Sequence, residues 1–348
     1  MRLLIATVKI PFLRGGAELH AEGLLEALRA AGHEAEIVTI PFKWYPPERI
    51  PDHMLACRLL DLTNFSGIDI DQVIGLKFPA YYVRHPNKVL WILHQHRQAY
   101  DLWDRPDCDL KFYPNGAEIC GAIRTADREL IPEAKAVFTN SQNVSARLKR
   151  YCEIESVPLY HPPGNAERFF CSEPADYFFF PSRISSLKRQ RLVLEALAAT
   201  HHPVRVRFAG TPEYPPDLDE LKKLVQQLKL DRRVAWLGWI TEDQKLQDYA
   251  CALGVLYPPL DEDYGYVTLE AMLSAKPVIT CTDSGGPNEF VLDGETGFVV
   301  EPSAEALAAA MDNLWENRQA GAQMGLAGRE YYASLNISWR TVVRSLLA

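Results

Sequence analysis

The residues of this chain best placed for chemistry are Glu262 and Glu270, the two ends of the segment E-D-Y-G-Y-V-T-L-E. Ahead of them, Leu253 to Tyr257 form a short apolar run that stops at Pro258-Pro259, as a buried parallel strand does at its carboxyl end. Behind them, Leu269, Met272 and Leu273 recur at helical spacing until Pro277 ends the pattern. Glu262 to Tyr266 is therefore expected to be a strand-to-helix loop, with Glu270 one turn into the helix. The first amides of that helix, from Tyr266 and Val267, attract anions, and Gly265 lets a ligand approach the main chain. Carboxylates flanking such a turn can accept hydrogen bonds from vicinal hydroxyls at two places on one elongated ligand. Spacing alone leaves a plainer reading open: two solvated acids favoured by the helix dipole.

Other candidates sit at similar junctions. Arg183 and Lys188 follow the apolar run YFFF and precede a helical pattern through Leu192, Leu194 and Leu197. There a guanidinium fork and an ammonium point charge can neutralise a diphosphate, although two surface cations are the plainer reading. Gly15 and Gly16, in R-G-G-A-E after the first apolar run, open a helix ending near Gly32. Such a pair brings backbone N–H groups up to a diphosphate or an acceptor hydroxyl, or simply makes a tight turn. It is not the G-x-G-x-x-G fingerprint, which argues against a nicotinamide-dependent dehydrogenase. His94 follows VLWIL, where a parallel strand delivers a side chain to its carboxyl end, with His96 as a weaker candidate. Lys9 and Lys77 hold comparable positions and are candidates for orienting an acceptor. A lone histidine is more often structural than catalytic.

The elements that must position these residues are legible as alternation. Apolar runs at 3–8, 36–40, 72–76, 89–93 and 136–140 are separated by helical stretches. The rhythm breaks between Tyr160 and Phe170 around Pro162-Pro163-Gly164-Asn165, and restarts with runs at 177–181, 204–210, 234–238, 253–257 and 277–280. Such alternation predicts an α/β chain with parallel sheets and crossover helices. At 348 residues it predicts two Rossmann-like domains facing each other across a cleft, residues 1–163 and 164–330. The aromatic stretch Pro41 to Met54 is expected to shape the acceptor side or simply to pack.

Composition excludes several classes. The net charge of −8 is divided as 19 basic against 20 acidic residues up to position 165 and 18 against 25 beyond it, so neither half suits nucleic acid. Seven scattered cysteines without a C-x-x-C pair predict reduced thiols, a cytoplasmic setting and no zinc site. No run approaches the roughly 18 apolar residues of a membrane span, and Met1-Arg2 leads straight into LLIATV rather than a cleavable signal. A stretch with Arg147, Lys149 and Arg150 is the candidate for peripheral contact with an anionic membrane, or a solvated helical face.

The segment Glu262 to Glu270, continued by P-V-I-T-C-T-D-S-G-G-P-N-E, resembles the Glu-x7-Glu block of retaining glycosyltransferases of family 4, of the glycosyl transferases group 1, which have the GT-B fold. The resemblance implies that Glu262 meets the donor sugar and Glu270 the ribose hydroxyls. It also implies a place beside the donor diphosphate for Gly15 and Gly16, and a place near the donor sugar for His94. Arg183 and Lys188 keep the family's spacing, and the resemblance implies that they stabilise the departing nucleoside diphosphate without a metal or other cofactor. Gly285, Gly286 and Glu289 match the loop that follows, although Glu289 could equally cap the next helix. Residues 331–348 are expected to end in a helix that crosses back to the first domain. The implied partners are a nucleotide-sugar donor and a saccharide or lipid-linked acceptor, as in surface polysaccharide or cell-envelope glycan synthesis. Two departures stand out: Asp263 and Ser182 occupy positions that are commonly glycine. Asp263 keeps a second reading open, a catalytically silent subunit that binds nucleotide sugar. A third is another GT-B enzyme such as a sugar-nucleotide epimerase.

Overall fold

All ten apolar runs become strands of two parallel sheets in this computed structural model, which describes residues 1–12, 15–106 and 108–348. One unit comprises Met1–Gly164 with Ser338–Ala348, and the other Asn165–Ile337.

The first unit holds β1 (Arg2–Lys9), β2 (Glu34–Pro41), β3 (Gln72–Gly75), β4 (Lys88–Ile92), β5 (Ala136–Thr139) and β6 (Val157–Pro158), in the order β2-β1-β3-β4-β5-β6. Every neighbouring pair runs parallel. Among its helices, α1 (Gly16–Ala30) follows β1, and α2 (Gly116–Leu130) and α3 (Gln142–Cys152) flank β5. Strands β3 and β4 are buried at every position, which is why QVIG and KVLWI show no polar alternation.

The second unit holds β7 (Tyr177–Pro181), β8 (Arg205–Ala209), β9 (Val234–Gly238), β10 (Gly254–Leu256), β11 (Val278–Cys281) and β12 (Gly297–Val300), in the order β9-β8-β7-β10-β11-β12. The crossovers are α4 (Gln190–Ala199), α5 (Pro215–Gln227), α6 (Glu242–Ala250) and α7 (Tyr266–Leu273), followed after β12 by α8 (Ala304–Glu316) and α9 (Arg318–Ser334). Its core is dominated by Phe178, Phe179 and Phe180 of β7, none more than 1% exposed. Strand order grows outward in both directions from the β7–β10 pair. That pair is therefore the topological switch point, where open α/β sheets bind ligands beyond the carboxyl ends of their strands.

The last helix, α10 (Trp339–Leu346), belongs to the first unit, where Val342, Val343 and Leu346 join Ile5, Leu24 and Leu28 in one core. The indole of Trp339 lies against Gly23, where an added Cβ would meet it at 2.4 Å. The segment that joins the first unit begins at Ser338, not at residue 331 as the sequence suggested. The intervening α9 packs on the second unit, where a Cβ at Gly325 would meet the Ala275 carbonyl at 2.1 Å.

Two buried histidines tie α1 to the segment after β6. His20 Nδ1 and His161 Nε2 lie 3.1 Å apart, and each residue is 1% exposed. Burial pushes His20 from 6.5 down to about 3 and, with the charge of His20, holds His161 well below the usual histidine range. Both are neutral when folded. Below pH 6.5 the unfolded chain binds more protons, so stability falls as pH falls, continuing down to about pH 3 for His20. The loss is about 1.4 kcal/mol per histidine per pH unit. Urea midpoints for the first unit are expected to drop between pH 7 and pH 5, less steeply in His20→Gln. Equal slopes in the two proteins would contradict this assignment.

Candidate functional site

The switch point of the second sheet gathers residues from two loops distant in sequence. The loop after β7 carries Arg183 and Lys188, and the segment after β10 carries Tyr257, Glu262 and Gly265. Lys188 Nζ pairs with Glu262 Oε2, donates to the Tyr257 hydroxyl at 3.2 Å and lies 5.4 Å from the centre of that ring. Both charged side chains are largely withdrawn from solvent, at 15% and 21% exposure. Burial, and then the charge of Glu262, hold the Tyr257 phenol well above its ordinary range, so it stays neutral. Arg183 stands at the exposed rim, paired with Glu213 Oε1 at 2.5 Å.

Backbone bonds fix the two loops to each other and to the loop after β11. The Leu260 amide donates to Leu187 O at 2.8 Å, the Asp261 amide to Asp283 O at 2.9 Å and the Glu262 amide to Ser284 O at 2.8 Å. The Gly286 amide returns a bond to Glu262 O at 2.8 Å. Arg189, in the left-handed region at φ 60°, forks onto both oxygens of Asp283 at 2.6 Å. A bidentate pair of this kind fixes direction as well as distance. The pairing of β10 with β11 thus extends past its last ladder bond into the loops holding Glu262.

Glycines act here through space and φ. Gly265 caps α7 at φ 84°, and a Cβ on it would meet Pro287 at 3.0 Å. Gly285 lies at φ 73°. A Cβ on Gly286 would stand 2.8 Å from Tyr264 O and 2.9 Å from Asp263 O. The two departures from the family pattern fall where glycine is not required, since neither Asp263 nor Ser182 has positive φ. Close approach to Ser182 comes instead from Gly210 on the neighbouring strand loop, where a Cβ would meet Ser182 O at 2.1 Å.

Glu270 lies in α7 behind the Gly265 turn and is 9% exposed. Its Oε1 accepts from Lys245 at 2.9 Å and its Oε2 from the Tyr249 hydroxyl at 2.7 Å, both donors coming from α6. Burial pulls Lys245 down, but Glu270 and Glu242 outweigh it and the ammonium is raised above its ordinary value. Each carboxylate oxygen keeps a further lone pair for a ligand hydroxyl. Tyr266 and Val267 begin α7, as the anion-binding reading of that turn requires.

The remaining candidates lie in the first unit. Gly15 caps α1 with its amide bonded to Glu18 Oε2 at 2.8 Å, Gly16 is the first helical residue, and Arg14 lies outside the described residues. His94 is half-buried just past β4, with Nδ1 2.7 Å from Gln95 O. Gln95 is anchored in turn by Asp127 Oδ2 at 3.0 Å. That wholly buried carboxylate also accepts from the hydroxyls of Tyr81, Tyr82 and Tyr100 at 2.9, 2.6 and 2.7 Å. His96 is pushed down to about 4 by burial, then by His94. Lys9 ends β1 at the surface and Lys77 is half-buried after β3.

Two expectations are corrected. The Arg147, Lys149 and Arg150 stretch is not one basic face: Arg147 is 6% exposed with its guanidinium 3.8 Å from Asp101, whereas Lys149, paired with Glu155, and Arg150 are exposed. Glu289 does not cap a helix, because it closes a short 3-10 turn, Gly286–Glu289, that leads into a loop and then β12. Sequence reasoning missed Tyr257, which reads as the end of an apolar run, and Lys245 with Tyr249, whose i,i+4 spacing marks a helix face but names no ligand. It also missed Arg189 with Asp283. Among the described residues no helix is long and apolar enough to cross a membrane.

Residues 167–331 match the family Glycosyl transferases group 1. The chain is 39% identical over 118 residues to the Alpha-1,3/1,6-mannosyltransferase ALG2 of Mus musculus, a match covering 34% of this chain and 28% of that protein. It is 24% identical over 349 residues to the D-inositol 3-phosphate glycosyltransferase of Corynebacterium diphtheriae, covering 89% of this chain and 78% of that one. The chain spans less than a third of the length of the ALG2 mannosyltransferases it matches. Among solved structures, sucrose-phosphate synthase from Thermosynechococcus elongatus superposes with a TM-score of 0.78 at 18% identity, over 99% of this chain and 98% of that one. Anabaena Alr3699/HepE in complex with UDP and glucose gives 0.71 at 19%, over 99% and 98%. The fold is that of the GT-B glycosyltransferases, with two Rossmann-like α/β units.

The spacing around Gly286 makes a structural prediction. Gly286→Ala forces the Glu262 loop away from the loop after β11 and is expected to cost about 1–3 kcal/mol, as overpacking does. Urea denaturation measures it. A change below about 0.5 kcal/mol would show that the two loops are not held against each other.

Proposed function

We propose that this chain is a retaining hexosyltransferase that moves a sugar from a nucleoside-diphosphate sugar to a saccharide or lipid-linked saccharide acceptor. The observation that carries the reading is the meeting of Lys188 and Glu262 over Tyr257 at the switch point of the second sheet, with Arg183 at its rim and Glu270 behind the Gly265 turn. Cations at the end of β7 suit a diphosphate, and the carboxylates suit hydroxyls: Glu262 those of the sugar, Glu270 those of the ribose. The α7 amides of Tyr266 and Val267 add N–H groups for phosphate oxygens. In the first unit Gly15 and Gly16 would serve the diphosphate side and His94 the sugar.

In the proposed reaction the acceptor hydroxyl attacks the anomeric carbon on the face from which the diphosphate departs. The bond from that carbon to the phosphate oxygen breaks, the new glycosidic bond forms, and the hydroxyl proton passes to the leaving phosphate. Lys188 and Arg183 stabilise the charge that develops there, the main requirement of such a step, with no metal or cofactor invoked. Lys188 and Glu262 pair with each other in the free protein, and each exchanges that partner for the donor: phosphate for the lysine, sugar hydroxyl for the glutamate. The match to glycosyl transferases group 1 and the mannosyltransferase relatives support this class of reaction. A role in surface polysaccharide or cell-envelope glycan assembly, on the cytoplasmic side and in peripheral contact with the membrane, is the corresponding setting. A relative named O-antigen chain mannosyltransferase C supports the polysaccharide role.

Replacing Lys188 by Ala is expected to lower kcat by about 10²–10³-fold, the range for removing one preorganised donor to a developing anion. NMR of the first-formed product is expected to show the anomeric configuration of the donor. Inversion would exclude the same-face route. A Lys188→Ala enzyme with undiminished kcat would remove the switch point from the chemistry.

A further inference from the structure

At the opposite end of the second sheet from the proposed donor site lies a cavity of about 620 Å³, lined at the amino ends of β7, β8 and β9 by Arg205, Arg207, Arg232 and Arg233. Such a concentration is unexpected in this unit. Counting Arg340 and Arg344 with the first unit, as the fold does, leaves 16 basic against 25 acidic residues in the second. A quarter of those cations line one cavity, whose lining contains a single acid, Asp176.

The four arginines divide by their partners. Arg207 stacks over the Tyr177 ring at 4.1 Å and pairs with Asp248 at 2.6 Å, so its plane is fixed. Arg233 is held by Val204 O at 2.8 Å, His202 O at 3.0 Å and Thr200 Oγ1 at 2.5 Å. Asp176 is taken up by Arg318 at 2.5 Å. Arg205 and Arg232 are exposed and make no ion pair or hydrogen bond among the described residues. Two ordered guanidinium groups and two uncompensated ones thus border a cavity of a size that holds small ligands. Guanidinium forks match phosphate oxygens in pairs and stay charged at any physiological pH.

We propose that this cavity is an anion site for a phosphate-bearing ligand, separate from the donor site, with Arg205 and Arg232 as its principal contacts and Arg207 and Arg233 as its ordered wall. The phosphate can belong to a soluble phosphoester or to a lipid headgroup, and the chemistry of recognition is the same.

The full chain carrying Lys188→Ala, which weakens phosphate binding at the donor site, is titrated calorimetrically with inorganic pyrophosphate. In parallel it is sedimented with phosphatidylglycerol vesicles and with phosphatidylcholine vesicles. One saturable pyrophosphate site is expected, weakened at least tenfold by Arg205→Ser with Arg232→Ser and unaffected by Lys222→Ser with Lys223→Ser on the exposed face of α5. Arg232→Ser alone, at an exposed position without partners, serves if the double variant does not fold. Sedimentation with the anionic vesicles only, lost with the same arginines and displaced by pyrophosphate, assigns the phosphate to a headgroup; pyrophosphate binding without sedimentation assigns it to a soluble ligand. The proposal fails if neither probe binds, or if the arginine and lysine variants lose binding equally. Either result is independent of whether the chain transfers sugar.

Discussion

The reversal of strand order between β7 and β10 is the constraint on which the candidate site depends. It brings Lys188 and Glu262, 74 residues apart in sequence, to one place, because the loops leaving adjacent strands diverge in chain direction but begin side by side. The ion pair formed there is screened from water on both sides and seated on the Tyr257 ring. In the proposed function its two members take different parts of the donor, the lysine a phosphate and the glutamate a sugar hydroxyl. A sugar joined to a diphosphate supplies both within a few ångströms.

The supports of this pair are as informative as the pair itself. Arg189 clamps Asp283, and backbone bonds from Leu260, Asp261, Glu262 and Gly286 lace three loops into one rim. Glu270 is held by Lys245 and Tyr249 from the preceding helix, so its carboxylate is oriented before any ligand arrives. In the first unit Asp127 performs a similar service for the loop of His94, through Gln95 and with three tyrosine hydroxyls. Preorganisation of this kind lowers the cost of ordering charged side chains at the moment of binding.

Much of this was legible in the sequence, for physical reasons that differ from place to place. Parallel strands such as β3, β4 and β7 are buried on both faces and so stand out as continuous apolar runs. Proline and glycine after Tyr160 marked the break between units. The Glu262 to Glu270 turn was legible because a strand end, a glycine at φ 84° and a helix start each leave their own local pattern. What stayed hidden depends on partners far along the chain. Nothing local distinguishes Arg189 from Arg183, yet one is spent on Asp283 and the other stands at the rim. Arg147 read as part of a basic helix face because its burial beside Asp101 is a tertiary fact. Strand β12 went unread because GFVV is short and follows directly on the turn around Gly294. Whether the departures at 182 and 263 matter could not be read from pattern, since backbone angles rather than neighbours in sequence decide where glycine is required.

In the proposed function the switch point of the second sheet receives a nucleoside diphosphate. Calorimetric titration of the purified chain with UDP, GDP and ADP, repeated with Glu270→Ala, tests it most directly. Saturable binding of one of the three is expected, weakened at least tenfold by the substitution because the ribose hydroxyls lose their acceptor. Binding of none, or binding that Glu270→Ala leaves unchanged, would contradict it.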